Sequence, residues 1–238
     1  FVRKHFGLSF QEAMALLLGE NGQALLPTAK PIPEPAKPFA LPPAAGNQRR
    51  VFGYLLGTRQ IDRAVLSAFV RKGLVYEDLP YHNAVFVGLD AAGVPRHAHK
   101  RSTNSEGKSF RLNVEGSDPA HSFHWVGTSK QLYVFEAPID LLSYITLHPE
   151  GWQQHSYVAL CGVSGQALFQ RLKDQPDLGE VFLCLDNDQA GRAACKRLTE
   201  QLAEQGGYAA ERLCPQKKDW NDDLTCDSQE EAPALMMG

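Results

Sequence analysis

No apolar run in this 238-residue sequence approaches membrane-spanning length, which excludes a transmembrane helix of the usual kind. No secretory signal is present. Cysteine is sparse and odd in number: Cys161, Cys184, Cys195, Cys214 and Cys226, with no C-x-x-C among them. That pattern argues against a disulfide framework or a cysteine zinc site, and fits reduced thiols in a cytoplasmic protein. Basic excess is also missing. Lys and Arg total 24 against 27 Asp and Glu, a net charge of −3. A nucleic-acid partner must therefore be met by a local basic patch. No internal repeat is apparent. The chain opens on Phe1 with no methionine, which reads as a fragment or a processed form.

Proline is unevenly spread. Seven of the fifteen lie in 27–46, which reads as an extended, semi-rigid linker. Before it, Ser9 and Glu12 form a capping box ahead of an apolar stripe at Ala13, Leu16 and Leu17, the pattern of an amphipathic helix. After it, 47–73 predicts two helices, the second with Ile61, Val65 and Phe69 on one face and Gly73 as its stop. Residues 83–90 and 94–101 predict a hairpin, with short strands over 109–114 and 121–126. From Gln131 the pattern becomes strand–helix alternation, which predicts a parallel sheet. The strands fall at 131–136, 156–161, 180–186 and 208–214, and the helices near 139–147, 165–173 and 190–204.

Acids sit at two of these strand ends. Val181 to Leu185 is unbroken by polar residues, as in a strand buried on both faces, and Asp186 and Asp188 follow it. Extended backbone would aim both at one spot. Glu136 ends the 131–136 strand and Asp140 opens the next helix. Any one Asp here could simply cap a helix. Four acids converging would repel one another, and a hard cation such as Mg²⁺ relieves that repulsion. A phosphatase-type Asp-x-Asp is discounted, because too little chain follows Asp188 for the rest of such a domain. Arg96, Lys100, Arg101, Lys108 and Arg111, near Phe110 and Trp125, form a basic stretch suited either to single-stranded nucleic acid or to a solvated face. His97 and His99 share a strand face but lack a third ligand, so they read as surface histidines.

Glu136-x-x-x-Asp140 followed by Asp186-x-Asp188-x-x-Gly191 resembles the Toprim domain shared by topoisomerases, bacterial-type primases and some nucleases. Ala137 stands where that family usually has glycine. The turn Cys161-Gly162-Val163-Ser164-Gly165 and the segment Lys218-Asp219-Trp220-Asn221-Asp222 resemble the primase branch. TRQIDRAVLSAFVRKGLVYE and NAVFVGLDAAGVPRHAHKR resemble a domain of unknown function found with Toprim domains in mobile-element proteins. FGLSFQEAMALL resembles the tail of a primase zinc ribbon, whose ligands would lie upstream.

The resemblance implies an α/β fold, with a Rossmann-like, mainly parallel Toprim domain over 131–226. An α+β accessory domain would cover 47–130, a zinc-ribbon tail 1–26 and a C-terminal tail 227–238. It implies Glu136 as general acid/base, and Glu136, Asp140, Asp186 and Asp188 as the Mg²⁺ or Mn²⁺ site, with zinc only in an upstream module. Arg101, Lys108, Arg111, Ser164, Arg192 and Lys218 are the candidate phosphate contacts. The expected function is primase-like nucleotidyl transfer in mobile-element DNA replication. Single-stranded DNA, nucleotides and a helicase or other replication protein are the expected partners, with no membrane. A Toprim nuclease and a non-catalytic DNA-binding module are the alternatives.

Overall fold

Alternating side chains of one strand divide the core. In β6 (Gln131–Phe135), Leu132 and Val134 pack into one hydrophobic cluster, and Phe135, with Tyr133 at its margin, into another. A strand buried on both faces needs helices on both. The computed structural model describes residues 38–104 and 109–230, with side chains through 226. The predicted N-terminal helix and residues 27–37 of the proline-rich stretch lie outside them.

The first described helix, α1 (Arg49–Phe52), runs on as a π-helical turn over Gly53–Thr58. Next comes α2 (Arg63–Arg71), capped by Asp62, whose carboxylate accepts from the amides of Ala64 and Val65. Gly73, at φ +70°, stops it as expected. Four antiparallel strands follow in the order β1 (Val75–Glu77), β2 (Ala84–Leu89), β3 (Pro95–Arg101) and β4 (Arg111–Asn113). The predicted hairpin is β2–β3. Asp90 closes its turn by accepting from the amides of Ala92 and Val94. Residues 38–46 do not run free. They lie along β1, with an antiparallel bridge between Ala44 and Asp78 and a bond from the Leu79 amide to the Pro43 carbonyl.

The second sheet has the order β5-β7-β6-β8-β9: β5 (His124–Trp125), β6, β7 (Ser156–Ala159), β8 (Glu180–Leu183) and β9 (Ala209–Arg212). Only β5 is antiparallel. Helices α3 (Pro138–Leu147), α4 (Gln166–Asp174) and α5 (Gln189–Gln205) follow β6, β7 and β8. Leu168 and Leu172 of α4 and Leu198 and Leu202 of α5 pack on one face of the sheet. On the other face lie Leu141, Leu142 and Ile145 of α3, together with Phe69, Phe86 and Phe123 from the first half. The two sheets therefore share a core within one compact unit.

A sixth helix, α6 (Trp220–Glu230), was not expected from the sequence, where the segment carries no apolar periodicity. It is started by Asp219, whose carboxylate accepts from the Asp222 amide, and pinned by Trp220 Nε1, which donates to the Cys184 carbonyl at 2.8 Å. Strand β8 ends at Leu183 rather than at 186, because its neighbours give out. The Cys184 amide makes a last bond to Val134, and the chain then leaves the sheet.

Candidate active site

The order of the parallel strands reverses between β6 and β8. From β6 the chain steps outward to β7, then returns to the other side of β6 as β8. Open α/β sheets bind ligands at the carboxyl ends beside such a switch point. Glu136 follows β6 directly, and Asp186 and Asp188 leave β8. All three line one cleft with Asp140, Lys218, Asp219 and Asn221. The cleft is closed from the other side by residues of the first half: Arg59, Phe86, His99, Arg101 and Arg111.

Each acid is held differently. Ala137 opens α3 with extended backbone, φ −131°, so the residue that replaces the usual glycine is unstrained. Asp140, in the first turn, is 7% exposed. Burial, then Asp219 and Asp186 nearby, push its pKa well above the usual carboxylate range. Burial and the proximity of Glu136, Asp219 and Asp188 raise Asp186 to about 7. Its Oδ1 is buried without a hydrogen-bond partner among the described residues. Burial also raises Glu136, against the opposing pull of Arg111. Asp188 caps α5, accepting from the Gly191 amide at 2.8 Å. Capping and cleft-lining thus fall on the same residue.

Gly191 makes this loop possible. A Cβ there would lie 2.1 Å from the Asp186 carbonyl oxygen, so only glycine lets α5 approach so closely. The loop is tied across to the next segment by the Asn187 amide, which donates to the Lys218 carbonyl at 2.7 Å.

The donor set fits a hard cation of Mg²⁺ type. That ion takes one or two carboxylates and keeps water and phosphate oxygens for the rest. The described residues contain no group of three His, Cys, Asp or Glu side chains close enough to enclose an ion. A carboxylate pair fits, with Asp186 Oδ1 as its unsatisfied oxygen.

The basic stretch divides. Arg101 and Arg111 are cross-strand partners on β3 and β4 and both reach the cleft. Arg96 pairs instead with Asp90 at 2.8 Å, and Lys100 with Asp78 at 2.5 Å. Lys108 lies outside the described residues. Ser164 and Arg192 are not in the acidic cleft. Ser164 lines a separate groove with Lys173 and Arg197, and Arg192 turns back to the Asn187 carbonyl at 2.9 Å. His97 and His99 are not surface residues: His97 is fully buried, and His99, 6% exposed, has its Nδ1 at 2.7 Å from Asn113 Oδ1. They face inward because their strand is covered on both sides.

Arg59 carries no sequence signal. Its guanidinium donates to Asn221 Oδ1 at 3.0 Å, and Asn221 Nδ2 returns a bond to the Arg59 carbonyl at 2.8 Å. Its Nε also donates to Tyr54 Oη, which accepts from Arg101 as well. Asp219 and Asn221 lie in a motif visible in the sequence, where neither has an evident role.

Residues 133–224 match the Toprim-like family, and 53–129 match a protein of unknown function (DUF3991). An uncharacterized protein of Bacillus anthracis is 29% identical over 192 residues, 71% of this chain and 55% of that protein. The chain thus spans little more than half of that relative's length. The primase fragment of the bacteriophage T7 primase-helicase protein superposes with a TM-score of 0.55 at 16% identity, covering 74% of this chain and 69% of that one. The RNA polymerase domain of the Mycobacterium tuberculosis primase DnaG superposes with a TM-score of 0.52 at 18% identity, covering 76% and 74%.

Proposed function

Starting from a Toprim-like domain with the fold of primase catalytic cores, we propose that this chain carries out Mg²⁺-dependent, primase-like nucleotidyl transfer on single-stranded DNA. The observation that carries the reading is the facing of Glu136, Asp140, Asp186 and Asp188 by Arg59, Arg101 and Arg111 across one cleft. Acids alone would suit a cation, and bases alone an anion. Together they suit a phosphate-bound cation.

Asp186 and Asp188 are the residues to hold Mg²⁺ or Mn²⁺, with Asp140 buried behind them. Bound there, the ion would neutralise charge on phosphate oxygens. Glu136 takes the proton from an attacking 3′-hydroxyl as that oxygen bonds to the α-phosphorus of the next nucleotide and pyrophosphate leaves. Burial raises its proton affinity toward the working range of a general base. Arg101, Arg111 and Lys218 hold phosphates. Guanidinium groups suit this role because their paired N–H donors match phosphate oxygens. The wider role, by the resemblance of the 47–130 region, is replication of a mobile element. A helicase is the natural partner, as in the T7 primase-helicase protein.

The test supplies single-stranded template, nucleoside triphosphates and Mg²⁺ or Mn²⁺ to the 238-residue chain. Short oligomers should form, and Glu136→Gln should stop their synthesis while preserving template binding. Template cleavage without nucleotides would replace this reading with a nuclease. DNA binding alone, equal in wild type and mutant, would leave a binding module.

A further inference from the structure

Outside the cleft, the most exposed aromatic side chain among the described residues is Tyr81, at 70%, with Leu79 beside it at 55%. Both lie on the 78–83 connection between β1 and β2. This loop is held from beneath. Asp78 is fully buried, and its carboxylate accepts from the amides of Tyr81 and Asn83, from Asn83 Nδ2 and from Lys100 Nζ. His82 has left-handed backbone, φ +58°, a conformation with a cost for a residue other than glycine. Its carbonyl accepts from Thr103 Oγ1 at 2.7 Å, and its Nδ1 meets Glu77 Oε1 at 2.6 Å. Leu79 is tied to the Pro43 carbonyl. The result is a rigid mount whose exposed product is an aromatic ring.

The surroundings are basic. The Glu77 carboxylate that holds His82 also accepts from the Arg50 amide at 2.9 Å, which places Arg49 and Arg50 beside the loop. Both are exposed, and neither forms an ion pair among the described residues. Lys100 Nζ lies 5.8 Å from the Tyr81 ring centre. The loop also stands at the end of the sheet where Arg101, paired with Ala84, enters the cleft. A mounted ring near the exposed Arg49 and Arg50, at the sheet end where Arg101 enters the candidate site, matches what a single strand offers: flat bases on a charged backbone.

We propose that Tyr81 is a stacking platform for a base of single-stranded nucleic acid passing the cleft, with Arg49 and Arg50 on the neighbouring phosphates. The proposal rests on the nucleic-acid reading above, but not on the metal or on catalysis. Its test is equilibrium binding of a labelled oligothymidylate to the 238-residue chain in EDTA, as a function of salt. Tyr81→Ala should weaken binding about fivefold to a hundredfold, the range for one stacked base, without changing the salt slope. Tyr81→Phe keeps the ring and should stay within about twofold of wild type. Tyr81→Trp should bind and show fluorescence quenching on addition of the strand. Arg49→Ala with Arg50→Ala should flatten the log–log salt slope by about 0.7 for each phosphate no longer neutralised. Wild-type affinity in Tyr81→Ala would overturn the platform and leave the nucleic-acid reading intact. Loss of self-association in Tyr81→Ala, with DNA binding unchanged, would overturn it in favour of an interface between copies of the chain. No oligothymidylate binding by wild type would overturn both readings.

Discussion

Asp186 is the residue on which the cleft's electrostatics turn. Its pKa of about 7 stands above an ordinary 3.8, so between these values the folded chain holds a proton that the unfolded chain has lost. Stability contributed by that proton is full below about 4 and is lost as pH rises to 7. A difference of about three pH units corresponds to at most about 4 kcal/mol. Asp186→Asn should therefore stabilise the metal-free protein at pH 7.5 by on the order of 1–4 kcal/mol, and by little at pH 4, in urea unfolding at each pH. Mg²⁺ should raise the stability of wild type and not of Asp186→Asn. No gain at pH 7.5 would mean that the carboxylate is not strained by its neighbours. His97 and His124 run the other way. Burial lowers both to about 4, so each loses stability as pH falls from 6.5, and that acid slope should survive in the mutant.

At the scale of elements, two features decide whether the site assembles. The first is the approach of α5 to the Asp186 backbone, for which a Cβ at residue 191 leaves no room. Gly191→Ala should lower stability by roughly 1–3 kcal/mol, as overpacking does. It should also abolish Mg²⁺ binding measured by calorimetry, since relief of the clash moves Asp186. The second is the β3–β4 pair. Arg101→Ala and Arg111→Ala should each flatten the salt dependence of single-strand binding by about 0.7. Arg96→Ala should leave it unchanged, because that side chain is already engaged by Asp90. An equal effect from all three would mean a diffuse basic face.

These elements also show what the sequence could and could not reveal. Glu136 and Asp186 were legible as strand-end acids because Asp186 follows an unbroken apolar run and Glu136 a mostly apolar one, each reading as a strand. Arg101 and Arg111 were legible as a basic stretch, but the separation of Arg96 and Lys100 from them depends on which face each side chain takes. Helix α6 was illegible, because only Trp220 and Leu224 carry its packing into the core, too few apolar residues to mark a stripe, while Asp219 and the indole bond fix its start. His97 and His99 misled, because their polar flanks hide a strand packed on both sides.

At the scale of the molecule, the cleft has walls from both halves of the chain, and no local pattern predicts such a pairing. Arg59 and Asn221 meet only in the folded protein, where each bonds the other. Asn221 also donates to Ser143 Oγ at 3.0 Å. Asn221→Ala should cost roughly 1–3 kcal/mol by leaving buried partners unsatisfied. Amide hydrogen exchange should then show lost protection over 53–61 while β6 and β8 stay protected. Uniform loss of protection would mean that the bond serves the whole core rather than the seam.

The segment along β1 bears on a different matter, the behaviour of the protein in concentrated solution. An uncovered sheet edge recruits strands from other molecules. Here the edge is occupied by 38–46, whose Pro42 and Pro43 have no amide hydrogens to offer a further strand. The segment therefore terminates the sheet instead of widening it. A shortened chain beginning at Asn47 would expose β1, and the edge it bares should make the protein self-associate and precipitate as its concentration rises.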